Sequence, residues 1–231
     1  MEMKTIYSLG CSFMSSDTRW PEQPSFLDQY ADHCGWQHVS LARPGATNFC
    51  IHLQIERAIQ DRANYVIVGA TSSDRIDVAG NGYNQNLPIR LDLVHYANYH
   101  AASEQWVDAE HACIVSDTLN NVIEHSYTDL DSTTKDTVKQ YLRDLHNFDI
   151  EDRRNYYIIR DGLRELDRAG IPYLFIPGPL FYFDWTGFPV WQGTQPWDMP
   201  DGVGTRIINH NPPIAHKKFF DLLVQQTAKW A

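Results

Sequence analysis

Two hydrophobic periods take turns along the chain. Thr5-Ile6-Tyr7-Ser8-Leu9 is short, β-branched and aromatic, and Gly10 and Ser12 after it mark a sharp exit, so a first strand is expected there. Ser25 to Cys34 can form a helix, and Gln37 to Leu41 reads as a second strand that ends at Arg43-Pro44-Gly45. Ile51, Ile55, Ala58 and Ile59 then recur at helical spacing behind Thr47 or Asn48 as N-cap. Tyr65 to Ala70 is a continuous apolar run, the pattern of a strand buried on both faces. Asp152 to Ala169 predicts a helix with Tyr156, Ile159, Leu163 and Leu166 on one side and Gly170 as its stop. Ile171 to Ile176 gives a fourth strand closed by Pro177-Gly178-Pro179, and Asn211-Pro212-Pro213 opens a C-terminal helix with Asn211 as its cap.

Strands alternating with amphipathic helices imply a parallel sheet covered on both faces, a three-layer α/β/α sandwich of the flavodoxin-like, doubly wound kind. The plan is that of a single domain spanning 1–231. Residues 76–150 are polar and aromatic, with helix-like fragments such as Thr137 to His146 but no strong strand, and are read as an insertion over the sheet. Residues 181–200 hold Phe181, Phe183, Trp185, Phe188, Trp191 and Trp197 among Gly and Pro, and are read as a long structured loop whose tryptophans are buried beneath it, the alternative being that they stack on a sugar or line an acyl pocket. In such sheets ligands collect at the carboxyl ends of the strands. The exits Gly10-Cys11-Ser12, Pro44-Gly45-Ala46-Thr47 and Gly69-Ala70-Thr71-Ser72-Ser73 should therefore converge.

Charge narrows the partners. Nineteen Lys and Arg stand against 29 Asp and Glu, a formal net charge of −10 with no basic cluster, so a nucleic acid is not an expected partner. No apolar run reaches the length of a membrane span. The start Met1-Glu2-Met3-Lys4-Thr5 lacks a basic n-region and a cleavage site, which makes the cytoplasm the expected compartment. Cys11, Cys34, Cys50 and Cys113 lie far apart and read as free thiols. His95 and His100 are five residues apart, which misses the i, i+4 spacing of two ligands on one helical face; neither metal nor cofactor is expected. No Gly-rich dinucleotide or Walker loop follows a strand, so a nucleotide binder ranks last.

A serine at a strand-to-helix turn becomes nucleophilic when a histidine takes its proton and donors stand where an oxyanion forms. Ser12 supplies the hydroxyl. Gly45, lacking a Cβ, can bring a backbone N–H close, and the Thr71 and Ser72 hydroxyls belong to the next exit. The base would be His210 or His216, before and inside the last helix.

At these residues the chain resembles the SGNH (GDSL-type) hydrolases, particularly divergent phage-like and bacterial members with a Gly-Cys-Ser-Phe opening. Ser8-Leu9-Gly10-Cys11-Ser12-Phe13 matches the opening block, with Cys11 where Asp is commoner. Ala42-Arg43-Pro44-Gly45-Ala46-Thr47-Asn48 matches the glycine block, Val68-Gly69-Ala70-Thr71-Ser72-Ser73-Asp74-Arg75 the third, and His210-Asn211-Pro212-Pro213-Ile214-Ala215-His216 the last. The resemblance implies a flavodoxin-like hydrolase or acyltransferase working through a serine ester. It assigns Ser12 as nucleophile, His210 as base, and the serine and glycine N–H groups with an asparagine side chain as oxyanion hole. The chain departs from the family twice. The third-block asparagine is absent, leaving Thr71 or Ser72 to donate, and the usual acid, three residues before the histidine, falls on Ile207. A Ser–His dyad, or a triad completed by Asp201, would remain. The expected substrate is a small-molecule or carbohydrate-borne acyl or acetyl ester. The alternative is a catalytically lapsed binding module on the same fold, in which His216 packs or caps within its helix.

Overall fold

Alternation along each strand divides the apolar side chains between two cores. The computed structural model describes residues 3–11, 13–14, 24–42, 46–73, 76–78, 112–114, 133, 137, 140–141, 144–193 and 213–230. Strands β1 (Thr5–Leu9), β2 (Gln37–Ser40), β3 (Tyr65–Gly69) and β6 (Tyr173–Ile176) form an all-parallel sheet in the order β2-β1-β3-β6. Tyr7 and Leu9, Val66 and Val68, and Tyr173 and Phe175 enter one core. Ile6, Ile67, Leu174 and Ile176 enter the other. The register sets Ile6 beside Tyr65 and Val66 beside Tyr173.

Helices α2 (Asn48–Gln60) and α3 (Phe148–Ala169) contribute Ile51, Ile55, Ala58, Ile159, Leu163 and Leu166 to the first core. Helices α1 (Phe26–Cys34) and α4 (Pro213–Gln226) contribute Phe26, Leu27, Tyr30, Ala215, Phe219 and Leu223 to the second. The described residues thus make a three-layer α/β/α arrangement, consistent with a flavodoxin-like plan. Full burial of each Leu, Ile or Phe is worth roughly 1.5–3 kcal/mol, so both helical layers are strongly held.

Local chemistry sets the helix ends. Ser25 caps α1 through a capping box with Asp28, and Gly35 closes it in the left-handed conformation. Thr47, one of two expected caps, accepts from Cys50 N–H at the start of α2. Helix α3 starts one turn before the expected Asp152. Asn147 caps it and Asp149 and Glu151 favour its positive end, whereas Phe148 and Ile150 are exposed and give the first turn no apolar stripe. Asn211 lies outside the described residues, and the last helix runs from Pro213.

The stretch 76–150 carries a feature that its sequence does not signal. Strands β4 (Ile76–Val78) and β5 (Ala112–Ile114) pair antiparallel, Ile76 opposite Ile114. Three residues per strand are too few for a period of two to stand out. In the aromatic loop Trp185 and Trp191 are buried, and Trp185 Nε1 donates to the Leu180 carbonyl at 2.9 Å, as expected of tryptophans packed beneath a loop; Trp197 lies outside the described residues. The loop also extends the sheet: Phe175 N–H donates to Pro189 O, and Trp191 N–H to Phe175 O. Cys11, Cys34 and Cys50 are free thiols. Among the described residues no helix is long and apolar enough to cross a membrane.

Candidate functional site at the strand exits

The exits of β1 and β3 are neighbours because the strands pair, and Met14 fills the space beneath them. Gly10 adopts φ +150°, and a Cβ there would lie 2.9 Å from the Gly69 carbonyl and 2.5 Å from Met14 Cγ. Gly69 is equally close, its hypothetical Cβ 2.6 Å from the same Met14 atom. Gly10 is thus required by its conformation and by close approach to backbone, whereas a Cβ at Gly69 would press on the Met14 side chain alone. Met14 N–H donates to Cys11 O at 2.9 Å, turning the chain back directly after the strand.

Helix α2 fastens these exits from below. Gln54, fully buried, accepts from Gly10 N–H through Oε1 at 2.7 Å and donates from Nε2 to Gly10 O at 3.3 Å. Asn48, also fully buried, accepts from Thr71 N–H at 2.9 Å. Its Nδ2 donates to Thr71 O and to Asn155 Oδ1, both at 2.9 Å. Helix α3 adds a second anchor: Ser73 donates to the Asp152 carboxylate, as does the Tyr182 hydroxyl. Burial and the Asp152 carboxylate raise the Tyr182 pKa, which keeps that hydroxyl a donor. The N-terminus of α2 therefore sits at this end of the sheet, and its first turn carries no acidic residue. The helix dipole places partial positive charge there.

Of the residues expected at the site, Ser12, Gly45, His210 and Asp201 lie outside the described residues. Thr71 is buried with its backbone N–H and carbonyl both taken by Asn48, so only its hydroxyl could serve an oxyanion; Ser72 is half-buried beside it. His216 is buried on α4, stacks on Phe26 at 6.2 Å, and accepts from Phe26 N–H through Nδ1 at 3.3 Å. That contact sets the proton of a neutral ring on Nε2, which suits packing at the start of α1 and opposes a role as base through Nε2.

A second polar chain runs through the other half of the sheet. Asp28 Oδ1 is 2.5 Å from His38 Nδ1, His38 Nε2 is 2.9 Å from Ser8 Oγ, and Ser8 Oγ is 3.1 Å from Ser40 Oγ. The order is that of an acid, an imidazole and a hydroxyl, yet Ser8 has no exposed surface and shares its hydroxyl with Ser40. No substrate carbon can reach it. The chain ties α1 to the β1–β2 edge, and nothing in its spacing, with Asp28 ten residues from His38 and Ser8 thirty, announces it. The clasps by Asn48 and Gln54 were equally silent, since a buried amide in a helix reads as an interruption of the apolar stripe.

No family model matches the sequence, and a search of curated proteins finds no match.

Proposed function

We propose that the chain is a serine ester hydrolase or acyltransferase of the SGNH type, with Ser12 as nucleophile and His210 as base. One observation carries the reading: the blocks that hold Ser12 and Gly45 in sequence are joined to the third block by α2, through Gln54 on Gly10 and Asn48 on Thr71. Ser12 follows Gly10 by two residues and Gly45 precedes the Thr47 cap by two. A nucleophile, a glycine N–H and the positive end of a helix are the parts an acyl-transfer site needs at one place. The substrate in this reading is a small-molecule or carbohydrate-borne acyl or acetyl ester, handled by a Ser–His dyad or by a triad that Asp201 completes.

Purified protein should react with a fluorophosphonate probe and hydrolyse short acyl esters, and Ser12→Ala should abolish labelling and lower turnover by more than about 10³-fold. A wild-type protein inert in both assays sinks the enzyme reading.

The alternative, a lapsed binding module on the same fold, draws on a specific feature. Asn48, the asparagine that reaches the third block among the described residues, has its amide committed to Thr71 and Asn155 and offers no N–H to an oxyanion. Saturable binding of an acylated sugar without turnover would favour that reading.

A further inference from the structure

On the face of α2 turned toward α3, away from the strand exits, three ligating side chains meet. His52 and Glu56 stand one helical turn apart, and Glu165 approaches from α3: His52 Nε2 is 3.4 Å from Glu56 Oε1 and 4.0 Å from Glu165 Oε2. All three donor atoms lie within 4.8 Å of one another. Two ligands bound at about 2.1 Å in tetrahedral directions stand about 3.4 Å apart, so a small closure of the carboxylates completes such a set.

The imidazole is held for this purpose by its other nitrogen. His52 Nδ1 lies 3.2 Å from the Ile158 carbonyl, which can only accept, so Nδ1 donates there and Nε2 is the nitrogen turned toward the two carboxylates. In the neutral ring that nitrogen is an acceptor, and a divalent cation between it and the two carboxylates would satisfy all three. The ring also fits a gap made by a missing side chain: a Cβ on Gly162 would come 3.0 Å from His52 Nδ1 and 2.7 Å from Ile55 Cδ1. Ile158, Gly162 and Glu165 follow at helical spacing, so one stripe of α3 supplies the carbonyl, the gap and the third ligand.

We propose that His52, Glu56 and Glu165 bind a divalent transition-metal ion of the zinc class and so staple α2 to α3. One nitrogen and two carboxylate donors suit zinc better than calcium or magnesium, and three protein ligands leave a further position for water. The side chains are 14%, 34% and 28% exposed, so an ion can enter from solvent. Because α2 and α3 also hold Thr71 through Asn48 and Asn155, the staple would brace the strand exits whatever chemistry occurs there. The expectation that the chain binds no metal came from histidine spacing; Glu165 is 113 residues from His52 and only folding unites them.

The test is zinc titration of chelator-treated full-length protein by calorimetry, with thermal unfolding alongside. Wild type should take up one zinc ion and its Tm should rise with zinc concentration. Glu165→Gln, half-buried and checked for folding by circular dichroism, should weaken binding by more than about tenfold, and His52→Gln should abolish it. Cobalt should give tetrahedral d–d bands without a thiolate charge-transfer band. No saturable uptake, uptake unchanged in both variants, or a thiolate spectrum overturns the proposal. A Tm that falls in Glu165→Gln yet ignores zinc in wild type also overturns it.

Discussion

At Asp28 two opposing effects decide the charge. Burial pushes the carboxyl up, but hydrogen bonds from His38 and from the Ser25 hydroxyl and N–H outweigh it and bring the pKa down to about 2. A depressed pKa means that the carboxylate stabilises the fold fully above the unfolded value near 4, and that this contribution disappears as pH falls through about 2. The side chain is 34% exposed, so after solvent screening the contribution is on the order of 1 kcal/mol. Asp28→Asn should cost about 1–2 kcal/mol at pH 7, since it also weakens the capping box. Urea unfolding at pH 7, 4 and 2 should show the gap between variant and wild type closing across the acid window. Asn48 offers a sharper case. Asn48→Asp keeps the size but replaces two donated hydrogen bonds with repulsion against Thr71 O and Asn155 Oδ1, in a site with no exposure. We expect a loss of roughly 2–4 kcal/mol, read as a fall in the urea midpoint at constant slope.

Helices α2 and α3 approach closely because Gly162 leaves room, and this is an element-level constraint that a substitution can separate from backbone effects. Gly162→Ala would force Ile55 and His52 aside and should cost about 1–3 kcal/mol. Gly170→Ala meets nothing within 4 Å but sits at φ +68°, so its cost, about 1 kcal/mol, comes from the backbone alone. Thermal unfolding of the two variants should rank them in that order. The elements themselves were mostly legible from local pattern. Thr5–Leu9 and Tyr65–Gly69 announce strands by composition, and Gly35 and Gly170 end helices by conformation. The first turn of α3 was not legible, because Phe148 and Ile150 point to solvent and Asn147 acts through a side-chain bond rather than a period. Strands β4 and β5 escaped for want of length.

Across the whole molecule, the strand and helix starts that hold Gly10, Asn48 and Thr71 were legible in order, whereas the bonds joining them were not. Gly10 meets Gln54 across 44 residues, Thr71 meets Asn48 across 23, and Asn48 meets Asn155 across 107. Such pairs depend on which strands are neighbours, and the order β2-β1-β3-β6 is a property of the assembled sheet. That order carries a dynamic consequence. Strands β1 and β3 have a hydrogen-bonded neighbour on each side and a helix layer over each face, so their amides can exchange only when both cores open. Strand β2 is at the edge and its residues are exposed or half-buried. Strand β6 is intermediate, its outer side held at Phe175 by Pro189 and Trp191. Native-state hydrogen exchange should therefore give Tyr7 and Ile67 amides opening free energies equal to global stability. The outward-facing amides of β2 should open at several kcal/mol less. Equal protection of β1 and β2 would mean that the edge is covered in solution by a segment outside the described residues or by a partner. In that case the Asp28–His38–Ser8 chain, which ties this edge to α1, would lie beneath an interface.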